Sequence, residues 1–327
     1  GVPLTLMRLD ASAERAVIEM GANHPGEIGQ LAGLARPDVG VITNAGWAHL
    51  EGFGSREGIA RAKGELFIRL PEHGTAVINA DDDYAGLWRE LAQEGAQSRR
   101  IVTFSAEAAR GADIYAADIE LDGDGARFML HTPGARTPVA LDLAGRHNVA
   151  NALAAAAAAF AVGLDGPAIA AGLARTAAVA GRLAITPIAP GARLVDDSYN
   201  ANPGSLAAAL AWLGEQDGAR WAVLGDMGEL GDYSESAHRD AGLAARAAGI
   251  ERLFATGEHS RLTVSAFGEG GAWYPDHDRL IAALVGALAA SDSGVIVLVK
   301  GSRSARMDRV ADALRENGEQ QKVGASC

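Results

Sequence analysis

Apolar residues come along this chain in two rhythms. Short apolar runs alternate with longer stretches in which apolar positions recur every third or fourth place, the pattern of buried strands and of helices laid against them. Residues 16–19 (AVIE), 39–43, 75–79 and 100–104 are predicted strands, and residues 25–35 and 55–70 predicted helices. The first helix stops before Pro37 and the second has Ser55 at its N-cap position. Between residues 113 and 143 the texture changes. Ile114, Ala116, Ile119 and Leu121, then Phe128 and Leu130, then Val139 and Leu141 alternate with polar positions. That is the mark of an antiparallel patch with one wetted face, with turns at DGDG and TPGAR. The run GRHNVANALAAAAAAFAVG predicts a close-packing helix with small residues on every face, and a second helix follows near 167–176. Around GRLAITPIAPGARLVDDSYNANPGS the pattern resets, and strands at 221–225, 252–256 and 295–300 then alternate with helices. The whole reads as α/β, with a domain boundary near Arg182 and a compact, mostly parallel unit after it.

Composition narrows the possibilities. With 327 residues, 48% of them hydrophobic, the chain can bury two ordinary cores. No apolar run is long enough to span a bilayer, and no secretory leader opens the sequence. Cys327 is the one cysteine, so an internal disulfide is excluded and a reducing cytoplasm is expected. A formal charge of −12 argues against nucleic acid as a partner. Anionic ligands would need local cations or metal ions to offset that field. The sequence opens at Gly1 in mid-pattern and is expected to be a piece of a longer protein.

Four clusters could carry chemistry, each at the end of a predicted strand or the start of a helix, where open α/β sheets bind ligands. The first is Glu19 with Asn23 and His24: a carboxylate at a strand end suits Mg²⁺, or it caps the next helix or pairs with an arginine. The second is ITNAGWAHLEGFGSREGIARAKGELF, with His49 in a Gly-rich loop and Lys63 on the following helix. Lys63 is either a solvated surface lysine or a neutral amine carbamylated by CO₂, which would become a carboxylate-like ligand for a second Mg²⁺. The third is GRHNVANAL, where Asn148 and Asn151, three apart, face the same way and could read a purine edge; alternatively Asn148 is an N-cap. The fourth is LVDDSYNANPGS, in which Asx turns account for part of the polar density. The loops LGDMGELGDYSE and VKGSRSARM also end strands, but the former lacks the G-x-G-x-x-G spacing of a dinucleotide site. No G-x-x-x-x-G-K-[ST] phosphate loop occurs in the chain.

Taken in order, GVPLTLMRL, VIEMGANHPGEI, AHLEGFGS, AKGELF, GRHNVANALAA, GRL, DDSYNANPGS, GDMGELG and VKGSRSARM resemble the Mur ligases, and cover the chain from Gly1 to about Gly318. Within the family, DDSYNANP and GANHPGEI are most similar to the member that joins D-alanyl-D-alanine to UDP-N-acetylmuramoyl-tripeptide in peptidoglycan precursor synthesis. The resemblance implies that residues 1–182 are a partial central ATP-binding domain, a mostly parallel sheet plus a small antiparallel patch. Residues 183–327 would be a Rossmann-like C-terminal domain. The UDP-sugar domain and the P-loop would lie upstream. It implies ATP-dependent amide formation through an acyl phosphate, with two Mg²⁺ ions, in a cytoplasmic monomer. Carried over by residue, Glu19 would hold one Mg²⁺, and His49 with carbamylated Lys63 the second. Asn148 and Asn151 would contact adenine, Arg182 phosphate, and Asp197 the nucleotide. Asn200, Asn202, Lys300 and Ser302 would face the substrate.

Two other readings compete. Without its phosphate cradle the chain could be a catalytically incompetent fragment, or a non-catalytic nucleotide- or peptide-binding module. AKGELF and HLEGFGS argue against the module, since only metal chemistry needs those residue types together. An NAD-dependent oxidoreductase ranks last, having neither the glycine pattern nor a hydride-transfer constellation.

Overall fold

A computed structural model of the chain describes residues 1–47, 50–107, 111–189, 191–291 and 294–324. The chain divides into two compact units, Gly1–Thr176 and Ala177–Cys327.

In the first unit the elements run α1 (Val2–Met7), α2 (Glu27–Ala35), β1 (Val39–Ile42), α3 (Leu50–Phe53), α4 (Arg56–Ile68), β2 (Thr75–Asn79), α5 (Ala85–Gln93), β3 (Arg100–Ser105), β4 (Ile114–Leu121), β5 (Ala126–Thr132), β6 (Ala135–Leu141), α6 (Arg146–Ala161) and α7 (Gly166–Leu173). The six strands form one sheet in sequence order, parallel from β1 to β4 and antiparallel from β4 to β6. The antiparallel patch therefore extends the parallel sheet rather than standing apart from it. Burial follows the pairing. β2 is buried on both faces, as a central parallel strand must be, while β4 alternates inward and outward along its first half. The Ala-rich α6 buries Val149, Ala152, Leu153, Ala156 and Ala157 against this sheet, small residues that let helix and sheet approach closely.

One predicted strand is not there. Residues 16–19 form no strand, and Val17 is 100% exposed. A parallel strand is held only by ladder bonds to a neighbour and by a layer packed on its face. This run has neither among the described residues, and β1 lies at the open edge of the sheet. Glu19 consequently stands on an exposed irregular segment and not at a strand end. The short helix α1 was not anticipated from the apolar pattern.

The second unit contains β7 (Ala184–Ala189), β8 (Ala192–Asp197), α8 (Pro203–Gly214), β9 (Ala219–Leu224), α9 (Ser234–Ala247), β10 (Arg252–Thr256), α10 (Ser260–Phe267), β11 (Gly271–Tyr274), α11 (His277–Ala289), β12 (Val295–Lys300) and α12 (Asp308–Gly324). Its sheet has the order β11-β10-β9-β12-β8-β7, with only β7 antiparallel. The chain steps from β8 through β9 and β10 to β11 at one edge, then turns back to set β12 between β9 and β8, the doubly wound arrangement that opens a crevice beyond the carboxyl ends of the strands. β12 sits centrally and is buried at all six positions. Asn202 caps α8 through a reciprocal pair of bonds with Ser205, just ahead of Pro203.

Candidate functional site

In the first unit the parallel strands bring their carboxyl ends together, and the loops there bond to one another. Asn79, ending β2, donates its side-chain amide to the Thr43 carbonyl at 2.8 Å. Lys63, on α4, donates its ammonium to the Asn44 carbonyl at 2.6 Å. Asp82 accepts from the Ala45 amide at 2.8 Å, and Asp81 from Ser105 Oγ at 2.5 Å and the Ala106 amide at 2.7 Å. Arg56 pairs with Asp83 at 3.1 Å and lies over the rings of Trp47 and Tyr84. The aspartates of this NADDD run went unnoticed in the sequence, although they directly follow a predicted strand. They fasten the ends of β1, β2 and β3 to each other.

Lys63 is half-buried and not the solvated surface lysine its sequence setting permits. Burial pushes its amine below the ordinary lysine range, with the nearby Asp82 carboxylate partly opposing the change. A lowered pKa raises the fraction of neutral amine, the form that reacts with CO₂. His49 lies outside the described residues. Asn23 and His24 give their backbone amides to Glu27 at 2.8 and 3.3 Å, and these bonds hold the Glu27 carboxyl below its usual range. Glu65 accepts from the amides of Gly26 and Gly29, satisfying the amino end of α2 from another helix. Among the described residues no three His, Cys, Asp or Glu side chains converge where a metal ion could sit. Lys63 as it stands donates to the Asn44 carbonyl, and only as a carbamate would it offer oxygens to a hard cation.

At α6 the N-cap is Gly145, with φ 88°, not Asn148. A residue inside the first turn cannot cap it in the usual sense. Asn148 instead donates to the Ala144 carbonyl at 2.8 Å and accepts from Asn151 Nδ2 at 3.2 Å, so the two amides form one pair on one helix face.

In the second unit the strand ends of β8, β9, β10 and β12 carry the polar residues. Lys300, 3% exposed, pairs with Asp197 at 2.6 Å and donates to the Asn200 carbonyl at 2.8 Å. Asp197 also accepts from the Leu183 amide at 3.2 Å. The exposed Arg182 lies over Tyr199, 4.6 Å from its ring centre. Asn200 accepts from the Ala201 amide, and Asn202 is engaged as the α8 cap. Ser302 is buried and donates Oγ to the Asp226 carbonyl at 2.6 Å. The Asp226 carboxylate accepts from Ser260 Oγ and its amide and from the His259 amide. A β-carbon on Gly257 would overlap it, which keeps that position bare, at φ +119°. His238, 1% exposed, accepts from the Met227 amide at Nε2 and faces the Ser234 carbonyl through Nδ1 at 2.7 Å. A carbonyl cannot donate, so Nδ1 carries the proton. Burial holds this imidazole below the ordinary histidine range.

The structure thus brings Asp197, Asn200 and Lys300 together, pairs Asn148 with Asn151, and sets Lys63 on Asn44. Sequence reading missed Asp82, Glu65, Asp226 and His238. Asp82, Glu65 and Asp226 act on residues distant along the chain, which spacing alone does not reveal, and His238 is engaged with the backbone of Ser234 and Met227, which no side-chain pattern marks.

Residues 1–159 match the Mur ligase middle domain and residues 181–303 the glutamate ligase domain of the Mur ligases. The chain is 47% identical over 318 residues to the UDP-N-acetylmuramoyl-tripeptide–D-alanyl-D-alanine ligase of Escherichia coli, covering 97% of this chain and 69% of that protein. It is 36% identical to the ligase of the same name from Haemophilus influenzae, covering 97% and 67%. Among solved structures it matches MurF from Acinetobacter baumannii with a TM-score of 0.89 at 35% identity, over 96% of this chain and 68% of that one. MurF ligase from Thermotoga maritima, in complex with ADP, matches with a TM-score of 0.76 at 25% identity, over 92% and 66%.

Proposed function

The chain belongs to the Mur ligase family, and from that premise we propose that it carries the ATP-dependent joining of D-alanyl-D-alanine to UDP-N-acetylmuramoyl-tripeptide. The observation that carries this reading is the 47% identity to a ligase of that name, running through 97% of the chain. In the reaction a carboxylate oxygen of the tripeptide attacks the γ-phosphorus of ATP, and ADP departs. The dipeptide amine then attacks the acyl carbon, the phosphate leaves, and the amine loses its proton as the amide forms.

The residues of this chain divide the work. Asn148 and Asn151, a linked amide pair in the first two turns of α6, present donors and acceptors to the edge of adenine. Arg182 meets phosphate, its guanidinium steadied over Tyr199. Asp197 reaches the nucleotide from the end of β8, where it pairs with Lys300 at the end of β12. Asn200, Asn202, Lys300 and Ser302 shape the substrate side, Lys300 by fixing the backbone at Asn200. Glu19, His49 and a carbamylated Lys63 would hold two Mg²⁺ ions. Those ions, when bound, screen the repulsion between carboxylate and phosphate and stabilise charge moving onto the phosphoryl oxygens. The lowered pKa of Lys63 supports the carbamate. The proposal includes a cytoplasmic, monomeric enzyme.

No G-x-x-x-x-G-K-[ST] run occurs in the 327 residues, so ligation is expected only where a phosphate loop is supplied. The test is phosphate release from ATP that depends on both the tripeptide substrate and D-alanyl-D-alanine. It is run on this chain and on a version extended upstream to include a P-loop. Activity confined to the extended version supports the proposal. Activity in neither overturns it.

A further inference from the structure

Around the ends of β8 and β12 cations collect in this acidic chain. Arg182, Lys300, Arg303 and Arg306 gather there beside Asp197 and Asp308, while Asp196 is taken by Arg315. The nearby Asp226 carboxylate is engaged with Ser260 and His259. A local excess of cations in a chain of net charge −12 is the footprint of an anionic ligand.

Two of those cations share one aromatic ring. Arg182 lies 4.6 Å and Arg303 5.9 Å from the centre of Tyr199, whose side chain is half exposed. The ring steadies both guanidiniums without neutralising them. Lys300 is already matched by Asp197 and buried, so it offers no charge to a ligand. Among the described residues the carboxylate paired with Arg303 is Asp308, at 3.4 Å, and the arginine side chain is well exposed. Such a pair is weak and readily exchanged for another carboxylate.

The ligation brings in a substrate that needs this. D-alanyl-D-alanine has methyl side chains, an amine that must arrive neutral to attack, and one lasting charge, its carboxylate at the far end. A planar guanidinium grips a carboxylate through two parallel hydrogen bonds and so fixes which end of the dipeptide points inward. With Arg182 serving phosphate, we propose that Arg303 binds the free carboxylate of the incoming dipeptide, held in place by the ring of Tyr199. This rests on the ligase reading above.

The experiment compares the upstream-extended protein with its Arg303→Ala and Arg303→Lys variants, using D-alanyl-D-alanine and its C-terminal carboxamide as alternative substrates. Thermal unfolding of each variant controls for folding. The unaltered enzyme is expected to prefer the acid over the amide. Arg303→Ala should raise KM for the acid about ten- to a hundredfold, as loss of a charge-assisted hydrogen bond would. It should leave KM for ATP and for the amide nearly unchanged, and Arg303→Lys should recover part of the loss. An unmoved KM for the acid, equal losses for acid and amide, or a shift confined to ATP overturns the assignment of Arg303 while leaving the ligase reading intact. No turnover by the unaltered extended protein overturns that reading, and this assignment with it.

Discussion

At the scale of single residues, His238 shows how burial sets chemistry. Its two ring nitrogens are committed to backbone, Nδ1 donating to Ser234 and Nε2 accepting from Met227. A second proton on Nε2 would confront the Met227 amide hydrogen, and burial already depresses the pKa below the ordinary histidine value of about 6.5. The unfolded chain therefore binds a proton at a higher pH than the folded one. The stability this imidazole contributes is complete above about pH 6.5 and declines as pH falls toward the lower folded pKa. His238→Gln keeps a donor and an acceptor but does not titrate, so its stability should fall less steeply as pH drops below about 6.5. His238→Ala should cost about 1–3 kcal/mol at neutral pH by leaving Met227 and Ser234 unsatisfied. Urea unfolding of the three proteins across that range measures both effects. A parallel pH slope in wild type and Gln variant would show that His238 is not the titrating group.

At the scale of elements, close approach decides more than propensity. Gly242 lets α9 lie directly on α10: a β-carbon there would stand 2.2 Å from the Thr263 carbonyl oxygen and 2.9 Å from Ala266 Cβ. Gly242→Ala, helpful in an isolated helix, should here destabilise by about 1–3 kcal/mol through overpacking. A rise in Tm would refute the close contact. The same contrast explains what the sequence could tell. Strands such as β2, β10 and β12 were legible because a central parallel strand is apolar on both faces. The antiparallel patch was legible from alternation and from DGDG, where Asp122 accepts the amides of Asp124 and Gly125. Residues 16–19 misled because their composition is that of a buried strand, whereas pairing depends on a neighbour that composition does not supply. The small strand β11, half-buried at every position, gave no apolar run to find. Lys63 and Asn148 were singled out from motif order, but the partners they have in the structure, Asn44 and Ala144, are engaged through backbone carbonyls, which no side-chain pattern encodes.

At the scale of the molecule, each unit has its own core. The second is built around Leu194, Val223, Phe254, Leu280 and Val297, on a sheet whose central strands are fully covered. Residues 177–327 made alone should therefore unfold cooperatively, at nearly the temperature of that unit within the whole chain. The first unit, with an open β1 edge and exposed Leu4, Met7 and Val17, should be the less stable of the two and prone to associate. Scanning calorimetry of the chain and of the isolated second unit checks this, and a single sharp transition in the whole chain would count against it. The placement of Lys63 has one further consequence. Of the 29 basic residues only Lys63, Lys300 and Lys322 are lysines. Lys300 is sealed in an ion pair, so an acylating reagent applied near neutral pH meets few lysine amines, and burial holds that of Lys63 below the ordinary lysine range. The extent of acylation at that one position then reports, by mass spectrometry and without substrates, whether its amine is free or already occupied by a carbonyl carbon.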